Sequence, residues 1–390
     1  MNIGVDSRSL GPMKTGVGTY VSEVLRHWPA SQNQDSFVLF SHQSVGYPET
    51  AAVRHNVAHS RWGLPWYLLQ SHLLISGSSL ALFWGTQGLL PLRLPKLLPA
   101  VITIHDCIHQ QGVRYAPSLP YNWAHRCLLP SAVRRASRIL VVSRFVADEA
   151  MRYFRVSASK IEMTPLGVRP EFFGVANNTK EGDAAVKGQF DELSRQKAGV
   201  LAKYQIKPPF ILGVGTLEPR KNLKTLLEAF ALLPSRLQSQ FQLVLAGKPG
   251  WGTAKLQRYL RSYPQRASLV LTGYVPEDDL RALYASAEMF VFPSFYEGFG
   301  LPVAEALASG CPVIASTAAS LKEVAESAAI FVDPNRPAEE WSRVIVRVAE
   351  SADLRHSLAI AGREQARQFS WESCAQRTSE VLSSVAEDSA

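Results

Sequence analysis

Short apolar runs alternate with amphipathic stretches along most of the chain. Residues 2–6 read as a buried strand, and after a loop containing glycine and proline, Val17, Tyr20, Val21, Val24, Leu25 and Trp28 recur at helical spacing. Further strand-like runs fall at 37–40, 81–84, 100–104 and 139–142, a βα alternation that predicts an α/β domain with a parallel sheet. Between 174 and 197 the chain turns polar and poor in large apolar residues, which reads as a linker or surface excursion. A second series restarts at 210–215, 241–247, 268–271, 289–292, 312–315 and 329–332. The break and restart favour two doubly wound, Rossmann-like domains over one closed barrel. The expected division is 1–173, a linker at 174–197, 198–368, and a closing segment at 369–390. Open α/β sheets bind ligands beyond the carboxyl ends of their strands, so two facing domains would make a cleft and the chemistry belongs in strand-to-helix loops.

Composition adds class rather than detail. With 390 residues, 46% hydrophobic and 19% charged, the chain has the make-up of a globular protein with a sizeable core. It has neither a signal-peptide pattern nor an apolar run of the ~18 residues that a spanning helix needs, so neither export nor membrane crossing is expected. Four cysteines lack CxxC or zinc-like spacing, which argues against a disulfide scaffold or structural zinc and fits a reduced, cytoplasmic setting. The net charge of +8 resides in residues 1–168, with 16 Lys+Arg against 8 Asp+Glu, while the remainder is balanced at 25 each. That asymmetry points to an anionic partner for the first half, lipid headgroups or nucleic acid, against the plainer reading of a solvated basic surface.

Residues 295–310, FYEGFGLPVAEALASG, carry the strongest chemical signal. Two glycines permit close backbone approach, and Pro302 suits the first turn of a helix. Backbone N–H groups of Gly298, Phe299, Gly300 and Leu301 would then face an anion such as phosphate. Glu305 is expected in the first turn of that helix, placed to accept ribose hydroxyls, with Glu297 in the loop; the plainer reading is a helix-dipole carboxylate and a solvated acid. After the run 210–215, Arg220 and Lys221 could hold a diphosphate, since cations near a helix start are unfavourable without an anion to meet. Gly16-Val17-Gly18 lacks full GxGxxG spacing and a following ribose acid, which disfavours NAD. His105 closes the run 100–104, where α/β domains keep active residues. No Walker, GxSxG or HExxH motif is present.

Together these stretches resemble the retaining GT-B glycosyltransferases of family four, nucleotide-sugar-dependent enzymes that include bacterial mannosyltransferases of surface-polysaccharide assembly. The resemblance runs from IGVDSRSL and TGVGTYV through VITIHD, ILVVSRFVADEA, IEMTPLGV, ILGVGTLEPRKNL and LVLAGKPGWG to the long LTGYVPEDDL…EGFGLPVAEALASGCPVIAS stretch and the closing FSWE. Glu297 and Glu305 match the family's glutamate pair, separated by seven residues. The resemblance implies a GT-B architecture whose last segment crosses back onto the N-terminal domain, and domain closure that keeps water from the donor. It implies that Glu305 binds the ribose, that Glu297 and Gly298 to Leu301 meet the donor sugar and phosphates, and that Arg220 and Lys221 grip the diphosphate. Tyr274 and Val275 would flank the base, His105 would contact the donor sugar, and Gly16, Val17 and Gly18 would lie at the donor phosphates. Thr216 departs from the pattern, since many members have arginine there.

The implied reaction transfers a sugar, with GDP-mannose favoured by the GTLEPRKN stretch, to a glycan or lipid-linked acceptor on the N-terminal domain. Developing phosphate charge would rest on Arg220, Lys221 and the helix end, with no metal or other cofactor. Same-face attack is the expected route to retention; double displacement would have only Glu297 as nucleophile. UDP-, ADP- or dTDP-sugars, or a sugar-nucleotide epimerase, are the alternatives. A nucleic-acid-binding protein rests on the pI alone, with no recognisable motif. The aromatic stretch 61–74 suits either a buried helix or a peripheral seat on the inner face of the cytoplasmic membrane.

Overall fold

Strands covered on both faces need apolar residues at nearly every position, and the central strands have them. The computed structural model describes residues 1–11, 15–30, 34–111, 119–174 and 184–389. In its first part β1 (Asn2–Asp6), β2 (Ser36–Ser41), β3 (Val53–Val57), β4 (Leu82–Gly85), β5 (Ala100–Ile104), β6 (Arg138–Val141) and β7 (Ile161–Met163) form a seven-stranded sheet. Its order is β3-β2-β1-β4-β5-β6-β7, parallel throughout. A second parallel sheet contains β8 (Phe210–Val214), β9 (Gln242–Ala246), β10 (Leu269–Gly273), β11 (Met289–Phe292), β12 (Val313–Ser316) and β13 (Ala329–Val332), in the order β10-β9-β8-β11-β12-β13. Each order reverses direction beside its first strand, as in doubly wound folds. The pattern of apolar runs does not reveal β3 or β7. Both are edge strands with one buried position between them, so residues such as Arg54 and Glu162 are tolerated.

The chain divides into two units, Met1–Gly167 with Ser370–Ala390, and Val168–Phe369. The first boundary therefore falls before the expected Phe173. The expected linker at 174–197 is corrected in part: residues 175–183 lie outside the described residues, and Ala184–Lys203 is a helix. Its alanines, glutamine, glutamate and lysines are good helix formers, and its last turns are largely exposed, so polarity there marks a solvated helix rather than a loop.

The closing helix Trp371–Glu387 belongs to the first unit. Ser370 caps it, accepting from the N–H of Ser373, and Trp371, Cys374, Ala375, Thr378 and Leu382 are buried against the Gly16–Arg26 helix and β4 to β6. A Cβ at Gly167 would collide with the backbone of Trp371, so this junction requires glycine. The assignment also changes the charge picture. Residues 370–390 add one arginine and four acids, Glu372, Glu380, Glu387 and Asp388, which lowers that unit's excess from +8 to +5. In the second unit the Leu223–Ala231 and Ala338–Glu350 helices bury Leu226, Phe230, Trp341 and Ile345 over Ile211, Leu243 and Val291 of the sheet. Burial of each such side chain contributes about 1.5–3 kcal/mol.

Candidate active site

In the second unit the strand ends gather charge. Past β8 the chain makes a 3-10 turn, Pro219–Lys221, before the Leu223–Ala231 helix begins. The turn directs Arg220 and Lys221 inward onto Glu297, which follows β11. Lys221 Nζ donates to Glu297 Oε1 at 2.7 Å, Arg220 Nη1 donates to Oε2 at 2.9 Å, and Ser294 Oγ donates to Oε1 at 2.6 Å. Arg220 also reaches Glu218, with Nε to Oε1 at 2.8 Å, and the Tyr296 carbonyl at 2.9 Å. Glu297 and Lys221 are 6% and 7% exposed, so this is a water-poor ion cluster rather than a surface pair. Burial opposes ionisation of Glu297, but Arg220 and Lys221, helped by the hydrogen bonds from Lys221 and Ser294, outweigh it and hold its carboxyl below the ordinary range.

The plainer reading of Glu297 falls here, and one expectation changes. Glu297 is no solvated loop acid, and the anion that Arg220 and Lys221 require is supplied from inside the chain by Glu297 and Glu218. Their presence alone therefore does not demand a phosphate.

The loop after Glu297 leads directly into the Leu301–Ala308 helix. Gly300 has φ +103°, and a Cβ there would strike Leu321, so the turn requires glycine. Ser320 Oγ donates to the carbonyls of Glu297 and Phe299, at 3.0 and 2.8 Å, fixing the loop in front of the helix. Pro302 sits in the first turn as expected. Glu305 does not: the helix begins at Leu301, which places Glu305 in the second turn, beyond the strongest pull of the helix dipole. Its Oε2 accepts from Tyr284 at 3.3 Å. Burial, and then the negative charge of Glu277, push Glu305 up to about 8 against the opposing influences of Tyr284 and Arg169. Arg169 itself pairs with Glu277 at 2.8 Å. After Gly273 (φ +71°), Tyr274 is 45% exposed and Val275 is buried. Thr216 follows Gly215 and packs its methyl toward Gly250, where a Cβ would lie 2.6 Å from Thr216 Cγ2.

The first unit brings its own candidates together. His105, just past β5, places Nε2 2.8 Å from the Thr86 carbonyl. A carbonyl only accepts, so Nε2 carries the proton and Nδ1 keeps its lone pair. Burial holds the imidazole neutral by lowering its proton affinity. The ring of Tyr20 meets His105 edge-on at 4.9 Å. Tyr20 belongs to the helix that begins with Gly16, Val17 and Gly18, so that turn lies one helical turn from the residue packed on His105. Gly18 is required by close approach, since a Cβ would stand 2.5 Å from the Ser9 carbonyl oxygen, and Thr15 Oγ1 accepts its N–H at 3.3 Å.

Sequence reasoning missed two neighbouring groups. Arg8 forms a two-pronged pair with Asp6, Nε to Oδ1 and Nη2 to Oδ2 at 2.8 Å each, and lies over the Tyr67 ring at 3.7 Å. His109 and His125 stack at 4.6 Å, with His109 Nδ1 2.9 Å from Asn122 Oδ1. The Asp-x-Arg at the end of β1 was a readable signal; the histidine stack joins separate elements and had none.

Among the described residues no three His, Cys, Asp or Glu side chains gather as a metal-ion set, and no helix is long and apolar enough to cross a membrane. The 61–74 stretch divides between its two readings: Trp66, Tyr67 and Leu68 are buried, whereas Trp62, Leu69 and Leu73 are exposed.

Comparison with known proteins gives this geometry a context. Residues 14–172 match the model described as Glycosyltransferase Family 4, and residues 201–365 match Glycosyl transferases group 1. The chain is 31% identical to the O-antigen chain mannosyltransferase B of Escherichia coli over 382 residues, covering 93% of this chain and 94% of that protein. Among solved structures, sucrose-phosphate synthase of Thermosynechococcus elongatus superposes with a TM-score of 0.77 at 19% identity, covering 98% of both chains. Anabaena Alr3699/HepE in complex with UDP and glucose gives 0.73 at 18%, covering 98% of this chain and all of that one. At such identities the structural likeness speaks for the fold.

Proposed function

The chain belongs to the GT-B glycosyltransferases of family four, and from that premise we propose that it transfers mannose, with retention, from GDP-mannose to a glycan or lipid-linked oligosaccharide in surface-polysaccharide assembly. The observation that carries the proposal is the buried cluster of Arg220, Lys221 and Glu297 set before the Leu301–Ala308 helix, in a chain 31% identical to an O-antigen mannosyltransferase.

In this reading a nucleoside diphosphate enters a cluster whose charges already balance. Its phosphates compete with Glu297 for Arg220 and Lys221, and the N-terminal end of the Leu301–Ala308 helix adds positive potential. As the bond from the anomeric carbon to the phosphate oxygen breaks, charge grows on the departing diphosphate, and both cations stabilise it without a metal. The acceptor oxygen attacks from the same face, forms the new glycosidic bond and passes its proton to the departing phosphate oxygen. Double displacement would need Glu297 as nucleophile, and in the ligand-free chain its Oε1 accepts two hydrogen bonds and its Oε2 a third. Glu305 receives the ribose hydroxyls, Tyr274 and Val275 flank the base, and His105 offers Nδ1 to a donor-sugar hydroxyl.

The decisive experiment is a thermal-shift panel of GDP-, UDP-, ADP- and dTDP-sugars followed by transfer assays with and without EDTA. A ligand at a hundred times its Kd stabilises by about 2.7 kcal/mol. A response to GDP-mannose and EDTA-insensitive transfer support the proposal. Preference for UDP-sugars, the second reading suggested by the UDP and glucose bound to Anabaena Alr3699/HepE, would keep the class and change the donor.

Peripheral membrane attachment is proposed on the exposed Trp62, Leu69, Leu73, Leu92 and Leu97, with Arg61, Arg93 and Lys96 interleaved. Protein that stays wholly unbound in flotation with anionic liposomes would refute it.

A further inference from the structure

Three serines at the strand ends of the second unit, Ser294, Ser316 and Ser320, are fully enclosed, and the reaction sketched above assigns none of them a part. Ser294 lies just past β11, one helical turn's length of chain before Glu297. A hydroxyl has one proton to give, and among the described residues three acceptors stand within reach of Ser294 Oγ: Glu297 Oε1 at 2.6 Å and the carbonyls of Arg220 and Tyr296 at 3.2 Å each. The carboxylate is the nearest of these and carries the charge, and 2.6 Å lies in the range of charge-assisted O–H···O⁻ bonds, so the proton goes to Glu297. The serine is itself fixed to the sheet, because its carbonyl accepts at 2.6 Å from the hydroxyl of Ser316, the last residue of the neighbouring β12. Ser320 has a different duty. Its hydroxyl reaches the carbonyls of Glu297 and Phe299, so it holds the backbone of the loop and not the carboxylate.

The two cations on Glu297 cannot set its place in the same way. Lys221 ends in a rotatable ammonium on a flexible stem, and Arg220 divides its guanidinium among Glu297, Glu218 and the Tyr296 carbonyl. Both are also the groups that a diphosphate draws toward itself in the reaction proposed above. Ser294, neutral and fully enclosed, offers an incoming anion neither a charge nor an exposed donor, so its bond to Oε1 persists when the cations turn to the phosphates. We propose that Ser294 is a positioning residue of the transfer reaction: its hydroxyl ties the Glu297 carboxylate to the end of β11, so that the carboxylate keeps its place while Arg220 and Lys221 exchange partners. The proposal rests on the glycosyltransferase reading above. Ser294 acts through Glu297, touches neither donor nor acceptor, and keeps its proton on Oγ throughout.

The test has two readouts, both on the full chain. Turnover is followed as transfer to oligomannosides and as acceptor-free hydrolysis of the nucleotide-sugar, and calorimetry follows binding of GDP and UDP. Ser294→Ala should lower kcat about tenfold, the scale of one hydrogen bond to a charged group, while the donor KM and the Kd of the nucleoside diphosphate stay within about twofold. Ser320→Ala, which frees the loop backbone instead, should weaken nucleoside diphosphate binding, so the two serines separate into a kcat effect and a binding effect. Ser294→Thr keeps the hydroxyl and should recover most of the lost turnover. Where its extra methyl prevents folding in so enclosed a site, Ser294→Cys, closer in size and a weak donor, should give a kcat between those of serine and alanine. A purely structural serine would lower Tm and leave the kcat of the folded protein unchanged. Wild-type kcat in Ser294→Ala, a fall in kcat matched by an equal weakening of diphosphate binding, or alanine-like turnover in the folded threonine or cysteine variant would overturn the proposal. Failure of the enzyme reading looks different: wild-type protein that neither transfers nor hydrolyses any nucleotide-sugar.

Discussion

The two sheets end in opposite kinds of chemistry. In the second unit the strand ends meet in a cluster where Glu297 is saturated by Arg220, Lys221 and Ser294 before any ligand arrives. In the first, loops after the strands hold Ser9, His42, Gln87 and Gln110, whose buried polar atoms find no hydrogen-bond partner among the described residues. A charge buried without a partner costs far more than a buried amide or hydroxyl, so a charged site must be self-neutralising when empty, while a polar one can remain partly unsatisfied at modest cost. Similar α/β scaffolds therefore carry a self-neutralised charged cluster in one unit and partly unsatisfied polar groups in the other.

The largest effect should come from breaking the charged cluster. Lys221→Met removes one partner of a buried pair and leaves Glu297 under-compensated; about 3–5 kcal/mol of stability should be lost in urea denaturation, with transfer falling beyond detection. Glu297→Gln keeps the shape and releases both cations. Calorimetry should then find nucleoside diphosphate binding unchanged or tighter. Weaker diphosphate binding would mean that Glu297 organises the cations rather than competing for them.

A smaller effect is expected at Glu305. An unfolded glutamate titrates near 4.5, and in the fold burial and Glu277 push it to about 8. Between those values the folded chain holds a proton that the unfolded chain has lost, so ligand-free stability should fall as pH rises, by at most about 1.4 kcal/mol per unit. Glu305→Gln should flatten that slope in urea midpoints measured from pH 5 to 8. The smallest effect belongs to the unpartnered polar groups: Ser9→Ala should change stability by no more than about 0.5 kcal/mol in the same assay, because no hydrogen bond is lost.

Legibility in the sequence followed burial. Each of the eleven apolar runs read as strands corresponds to one, because strands covered on both faces must be apolar at nearly every position. The two overlooked strands, β3 and β7, lie at sheet edges where polar residues are tolerated. The EGFGLPVAEALA stretch was legible since a positive-φ glycine and a helix-starting proline are local demands, met at Gly300 and Pro302. The helix over Ala184–Lys203 was hidden because polarity and helix propensity gave conflicting signals, and Glu305 was set one turn too early because helix starts are fixed by cap geometry. The inward pairing of Glu297 was not legible: it joins residues 76 apart in the chain.

What the sequence by itself determined is the succession of strands and helices, the two-sheet plan and the residue types at the strand-end loops, all of them consequences of local periodicity and backbone preference. Only the tertiary structure decided which charges neutralise one another, that the closing helix joins the first unit and reduces its excess charge to +5, and which polar atoms are left without partners. These are matters of desolvation and distance between residues far apart in the chain, and local periodicity carries no information about either.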